Sequence, residues 1–352
     1  MLYYRYFFIS LLLLSSLYAE APQSPAEVIV KKRIETFMKE QRIPGIAVAI
    51  VYKGQGSAYE WGYSDLESKI RVHPDTLFAL ASITKVFTST ALALEVIHHK
   101  MNLQDSIAKY ISTLHPGLQP INRVTLLDLA THTSSLPRKA PKKANRSLPQ
   151  LLTFLKAWRP KYPIGTRYLY SNLGFGLLGE AISKVEELNY EASIQKLILQ
   201  PLGMNTTYVY VPNNQSQNMA QGYNKDGHLV HSTGKNIWPG GGALKSSVSD
   251  MLKFLKANLD LEGSEDVRMA MQLAQKGYFK VNSHLTLGLG WQRFHNENKV
   301  LIIDKNGGLE GFSTYIGMLP EEKTGIVILC NRGNTHITKI GRAILSELRL
   351  QR

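Results

Sequence analysis

The chain has 352 residues, 44% of them hydrophobic and 19% charged, with 27 glycines, 15 prolines and a single cysteine. That is long enough for a substantial core, too apolar for a disordered chain, and too ordinary in glycine and proline for a collagen-like or low-complexity one. A net charge of +14 admits nucleic acid, an anionic membrane surface or an acidic polymer as neighbour, while the lone Cys330 rules out an intrachain disulfide and every cysteine-rich zinc module.

Arg5 precedes an apolar run from Phe7 to Leu14, and small residues follow around Ala19 and Ala21. This is the form of a secretory signal peptide over residues 1–19, cleaved after Ala19 or Ala21. The run is shorter than the ~20 apolar residues of a spanning helix. No later segment is long and apolar enough to span, so we expect an exported, periplasmic protein with no transmembrane segment in its mature form. Export also argues against nucleic acid as a partner.

Residues 25–42 carry apolar positions at helical spacing, stopped by Pro44-Gly45. Residues 46–52 and 57–62 read as two strands joined by a glycine turn. From about 80 to 220 the pattern turns helical, with helices expected at 83–99, 148–158, 174–188 and 191–199 between Pro- and Gly-bearing loops. A capped helix follows at 246–259. Strands return at 299–304, 312–319 and 324–331, and residues 335–349 suit a closing helix. Strands at both ends imply that 22–79 and 221–352 share one sheet, beside a mostly helical domain at 80–220, an α+β architecture.

Three short segments carry chemistry. Ser82-Ile83-Thr84-Lys85 opens an apolar helix, and the three-residue spacing puts Ser82 and Lys85 on one face. A desolvated lysine there can act as base for the serine nucleophile, and the helix N-terminus favours an oxyanion at the serine's own amide. Tyr170-Ser171-Asn172 lies in a loop that can aim both outer side chains into a cleft. The phenol, beside two ammonium groups, can reach the phenolate form or relay protons, and the amide can bond both lysine and substrate. Lys305-Asn306-Gly307-Gly308 ends a strand, where a substrate can lie alongside, with Lys305 near a carboxylate and the Gly308 amide as second oxyanion donor.

In this order, Ser82-x-x-Lys85, Tyr170-x-Asn172 and Lys305-x-Gly307, the sequence resembles the penicillin-recognising serine hydrolases, especially class C β-lactamases. Phe78-Ala79-Leu80-Ala81, Leu129-Ala130-Thr131-His132-Thr133, Gln272-Leu273-Ala274-Gln275 and Leu287-Gly288-Leu289-Gly290-Trp291 extend the likeness from about residue 26 to 350. The resemblance implies an antiparallel sheet flanked by helices, with the site in the cleft beside the helical domain. It implies that Ser82 attacks a β-lactam carbonyl, Lys85 and Tyr170 manage its proton, and the Ser82 and Gly308 amides hold the oxyanion. Asn172, Lys305, Asn306 and Gly307 would bind substrate. No metal or organic cofactor is implied. The partner is a β-lactam or a D-alanyl-D-alanine peptide, with peptidoglycan as neighbour, and the protein is expected as a monomer.

The departures bear on substrate. Asn306 replaces the usual threonine, Pro137-Arg138-Lys139 puts cations where a substrate-binding glutamine is usual, Gly240-Gly241-Gly242-Ala243 stands where a tyrosine lines the pocket, and the 291–305 connection is short. Together they imply a more open cleft and keep a cell-wall D-alanyl-D-alanine peptidase or esterase as the alternative. A non-catalytic envelope-binding protein is a third reading, disfavoured by the intact motifs.

Other matches are discounted. Lys323-Thr324-Gly325 spells the usual third motif but falls in the next hairpin, Gly174-Phe175-Gly176-Leu177-Leu178-Gly179 lacks a βαβ setting, and Glu186-Glu187-Leu188-Asn189 lacks a glutamate at Val185. His98, His99, His228 and His231 read as solvated or capping, and Cys330 as a small core residue. Between Arg138 and Lys161 eight basic residues, Arg138, Lys139, Lys142, Lys143, Arg146, Lys156, Arg159 and Lys161, meet no acid, a field suited to gathering carboxylate-bearing substrates or anionic wall material.

Overall fold

The computed structural model describes residues 24–111, 120–144, 147–230 and 238–351. The expected signal peptide, Arg146 and His231 lie outside the described residues.

Helix α1 (Pro25–Gln41) starts where the Ser24 hydroxyl accepts from the Glu27 amide and stops at Arg42 in the left-handed conformation. Strands β1 (Gly45–Tyr52) and β2 (Gln55–Asp65) form the expected hairpin, followed by β3 (Ile70–Arg71) and β4 (Phe78–Ala79). The helical stretch holds α2 (Thr84–Ile97), α3 (Leu126–Ala130), α4 (Leu148–Ala157), α5 (Asn172–Glu186) and α6 (Tyr190–Ile194), the last running into a π-helical turn, Gln195–Leu199. Short strands β5 (Thr207–Tyr208), β6 (Gly222–Tyr223), β7 (Leu229–Val230) and β8 (Lys245–Ser246) lead to α7 (Val248–Asn258) and α8 (Glu265–Gln275). Then come β9 (Phe279–Lys280), β10 (Leu285–Leu287), β11 (Gln292–His295), β12 (Leu301–Gly308), β13 (Ser313–Leu319), β14 (Thr324–Cys330) and α9 (Ile337–Arg349).

Nine strands form one antiparallel sheet in the order β3-β2-β1-β14-β13-β12-β11-β10-β9. The first long strand therefore lies against the last, with Ile46 opposite Cys330 and Val51 opposite Gly325, as the strands at both ends of the sequence imply. Because side chains alternate along a strand, β1 feeds two cores. Ala47, Ala49 and Val51 join the core that continues into α2, α5, α7 and α8, whereas Ile46, Val48 and Ile50 pack with α1 and α9.

Several elements differ from expectation for local reasons. Helix α5 begins two residues early, because the Ser171 hydroxyl accepts from the Gly174 amide and caps it. Helix α7 begins at Val248 because Ser247 does the same for Asp250. Strand β12 runs on through Gly308, since β13 pairs with it as far as Ser313. Unforeseen are α8 and the edge strands β9 to β11, the latter two to four residues long and too short to show a period.

Candidate active site

Ser82 lies in a 3-10 turn, Ala81–Ile83, that feeds the N-terminus of α2. Ala81 takes φ 50°, a left-handed conformation that costs an alanine about 1–2 kcal/mol, so the turn is held from outside. Leu80 donates its amide to Leu244 O at 2.8 Å and accepts at its carbonyl from Thr314 Oγ1 of β13 at 2.9 Å. The Leu244 amide in turn donates to Thr84 Oγ1 at 3.1 Å. The turn also lies flush against β12, where a Cβ on Gly307 would meet Leu80 O at 2.2 Å. Only glycine lets the strand come so near the serine.

Lys85 is fully buried. Its Nζ lies 3.3 Å from Ser82 Oγ and 2.8 Å from Asn172 Oδ1, and it also donates to Gly241 O. Burial, then the charges of Lys305 and Arg138, hold this amine well below the usual lysine range. Gly241 is a participant that sequence reasoning missed: a backbone carbonyl carries no residue signature, and only the run of three glycines hinted at it. A Cβ on Gly240 would meet Phe175 O at 2.6 Å, and one on Gly241 would meet Asn172 O at 3.0 Å. The glycines thus press this loop onto α5 and present the carbonyl to Lys85.

Tyr170 Oη lies 2.6 Å from Ser82 Oγ. The ring has Lys85 Nζ at 4.9 Å, Lys305 Nζ at 5.1 Å and Arg138 Cζ at 5.5 Å from its centre. Burial nevertheless pushes the phenol up to about 12, with Tyr168 adding to the rise and Ser82 and Arg138 opposing it. Desolvation thus outweighs the surrounding charges and favours the neutral phenol over the phenolate.

The segment 132–138 holds this loop in place. His132 Nδ1 accepts from the Ser171 amide at 3.1 Å, Pro137 O accepts from Ser171 Oγ at 2.8 Å, and Arg138 O accepts from the Asn172 amide at 2.9 Å. The His132 ring lies 4.4 Å from that of Tyr170, and burial together with Lys305 and Lys85 keeps it neutral.

Lys305 is 3% exposed and makes no hydrogen bond or ion pair among the described residues. Burial pulls it down to about 8, with Asp304 opposing. Strand β11 ends opposite Asp304, with Gln292 as its last partner, while β13 continues along the other edge to Gly308. From Lys305 to Gly308 one edge of β12 therefore has no strand beside it among the described residues, and the space beyond the Gly308 Cα is open. Asn306 is exposed, and alternation puts it on the face of Asp304 and Tyr315, away from Lys305. The structure thus brings Ser82, Lys85, Tyr170, Asn172 and Lys305 together with the Gly307-Gly308 backbone, but not the Asn306 side chain.

The decoys lie elsewhere. Lys323 lies in the turn before β14, beside the end of β13 farthest from Gly308, and donates to Leu259 O at 2.7 Å. Glu186 is held at 2.6 Å by both Lys100 and Lys196; burial raises its carboxyl, but the two lysines bring it to about 2. Its neighbour Glu95 stands at the far end of α2, about 20 Å from Ser82 at 1.5 Å per residue. The glycines of α5 seat it against Trp238 and Gly240. Cys330 is buried, donates to Ser313 O at 3.2 Å, and is pushed up to about 11 by burial. Among the described residues no three His, Cys, Asp or Glu side chains group as a metal site, and no helix is long and apolar enough to cross a membrane.

Comparison with known proteins bears on the whole chain. The family model described as beta-lactamase matches residues 30–347. A beta-lactamase of Escherichia coli (strain K12) is 31% identical over 356 residues, covering 92% of this chain and 93% of that protein. One of Lysobacter lactamgenus is 28% identical, covering 88% of each. Among solved structures, a class C beta-lactamase superposes with a TM-score of 0.87 at 28% identity, covering 95% of this chain and 98% of that one. A class C beta-lactamase in complex with cefoxitin gives 0.85 at 28% identity, covering 93% and 99%.

Proposed function

The chain belongs to the beta-lactamase family as a serine hydrolase of class C type, and from that premise we propose that it opens β-lactam amide bonds through an ester on Ser82. The observation that carries this reading is the set of acceptors around Lys85. Asn172 Oδ1 and Gly241 O are fixed acceptors, so a neutral amine donates to both and turns its lone pair toward Ser82 Oγ. Burial, with the charges of Lys305 and Arg138 nearby, favours the neutral form.

In the first half of the cycle Lys85 takes the Ser82 proton as Oγ bonds to the carbonyl carbon. The carbonyl oxygen becomes an oxyanion held by the Ser82 and Gly308 amides. Its collapse breaks the C–N bond, and the nitrogen is protonated by Tyr170, which is refilled from the Lys85 ammonium. Water then adds to the ester, giving up its proton through the same groups, and the C–Oγ bond breaks to return Ser82 and the product acid. Asn172 Oδ1 is spent on Lys85, which leaves its Nδ2 to donate to the amide carbonyl of the substrate's side chain. Lys305 binds the carboxylate, and the open edge of β12 accepts the substrate alongside Gly307 and Gly308.

Export to the periplasm, read from residues 1–19, would place this activity beside the cell wall, and the division into a 22–79 and 221–352 sheet domain and an 80–220 helical domain is kept as part of the reading. A second reading, a D-alanyl-D-alanine peptidase, is favoured by one observation. The β11–β12 connection is a tight turn in which the Val300 amide bonds Asn296 Oδ1 at 2.9 Å, so no long loop from this connection covers the cleft. Purified mature protein is expected to hydrolyse a chromogenic cephalosporin and to show a Ser82-linked adduct by mass spectrometry, with Ser82→Ala losing at least about 1,000-fold in kcat. Stable acylation with slow turnover, together with D-alanine release from a muropeptide, would replace the first reading by the second. The absence of both activities would sink both.

A further inference from the structure

The cycle leaves one cation of the cleft unused. Arg138 is exposed, with its guanidinium 5.5 Å from the centre of the Tyr170 ring. Its backbone is pinned to the site, because its carbonyl accepts the Asn172 amide at 2.9 Å. No acid answers it: none of the ion pairs among the described residues includes Arg138 or its neighbours Lys139, Lys142 and Lys143. Together with Lys305 it puts two cationic side chains around the tyrosine ring that the Lys85 amine also adjoins.

Such a cluster repels itself until an anion enters. A substrate with one carboxylate answers Lys305 and leaves Arg138 without a counter-charge. The position of Arg138 shows where a second anion belongs. It adjoins Asn172, whose free amide faces the acyl side chain in the proposed cycle, whereas Lys305 stands on β12 and receives the ring carboxylate. A guanidinium presents paired donors that match a carboxylate. We propose that Arg138 is a specificity-determining residue that selects β-lactams bearing a second carboxylate on the acyl side chain, an inference that rests on the β-lactamase reading. The exposed Lys139, Lys142, Lys143, Lys156, Arg159 and Lys161 of the same acid-free segment add a field that draws dianions to the mouth of the cleft.

The test uses two penicillins that differ only in an α-carboxylate on a phenylacetyl side chain, with kcat/KM measured at low and high salt. Arg138→Gln is expected to lower kcat/KM for the dicarboxylate about tenfold more than for its partner. Arg138→Lys should regain part of that ratio. Lys156→Gln, an equal change in net charge on the same segment, should shift the ratio by less than about twofold, and only at low salt. An equal fall on both penicillins in Arg138→Gln would show that the arginine acts only through Tyr170 and Lys85, and would overturn the proposal. So would the same ratio change in Lys156→Gln, which would reduce it to a diffuse field. A wild-type protein inactive on both penicillins would overturn the β-lactamase reading itself and this inference with it, whereas activity with an unaltered ratio defeats the inference alone.

Discussion

Asp304 and Lys305 are consecutive on β12 and meet opposite surroundings. On the face toward α9, the Asp304 carboxylate accepts from Arg342 Nε at 2.6 Å and Nη2 at 3.2 Å, and from Tyr315 Oη at 3.1 Å. The guanidinium also lies over the Phe294 ring at 3.7 Å. On the cleft face, Lys305 is as deeply buried and has no such partner. Both charges are dehydrated, but one cost is offset within the fold and the other is left for a ligand to offset. The two-residue period of the strand keeps the two arrangements on separate faces.

The sharpest way to break the comparison is Arg342→Met, which strands a buried carboxylate and is expected to cost about 3–5 kcal/mol, or roughly 10 °C in Tm by calorimetry. Replacing both partners, in Arg342→Met with Asp304→Leu, should restore most of that loss. If the faces are separate, kcat/KM of the folded Arg342→Met protein stays within about threefold of wild type; a tenfold loss would mean the pair also sets the position of Lys305. On the other face, Lys305→Gln should reverse the pattern. Here kcat/KM for a carboxylate-bearing β-lactam falls about 100-fold, while Tm does not drop, because a buried charge without a partner has been removed.

The pH dependence follows from the same residue. Lys305 is charged below about 8 and neutral above it, so KM for a carboxylate substrate should rise about tenfold per pH unit beyond that point. A substrate esterified at the carboxylate should lack this limb. For stability the sign is opposite: with the folded value depressed, the unfolded chain binds the extra proton between about 8 and the ordinary lysine range, and this group's contribution to stability grows with pH there. The smallest effect belongs to an exposed pair. Arg33 Nε and Glu347 Oε2 lie 2.7 Å apart at 49% and 32% exposure, and Arg33→Ala should cost less than about 1 kcal/mol.

Much of this site was legible because its spacing is local. Three residues on a helix bring Ser82 and Lys85 to one face wherever the helix goes, and Tyr170 with Asn172 gained meaning from occurring in order with them. The face on which Asn306 lies is not legible from a strand ended at Asp304; it follows only from a strand that runs on through Gly308. The proton order of Lys85 and Tyr170 was not legible either. It depends on how far each group is desolvated, which the composition of neighbouring segments does not state. Gly241 O could not be read at all, since every residue has a carbonyl and only the folded loop selects one.

The pairing of β1 with β14 bears on how the protein is made. The Gly45 amide bonds Asn331 Oδ1 across 286 residues of sequence, so the centre of the sheet cannot zip until the last strand has left the ribosome. Contacts of such separation form slowly. The leader proposed for residues 1–19 would then engage a translocation channel while the chain behind it is still threadable. For the same reason, a truncation that removes β14 and α9 should yield no smaller working enzyme, only a polypeptide with no middle to its sheet.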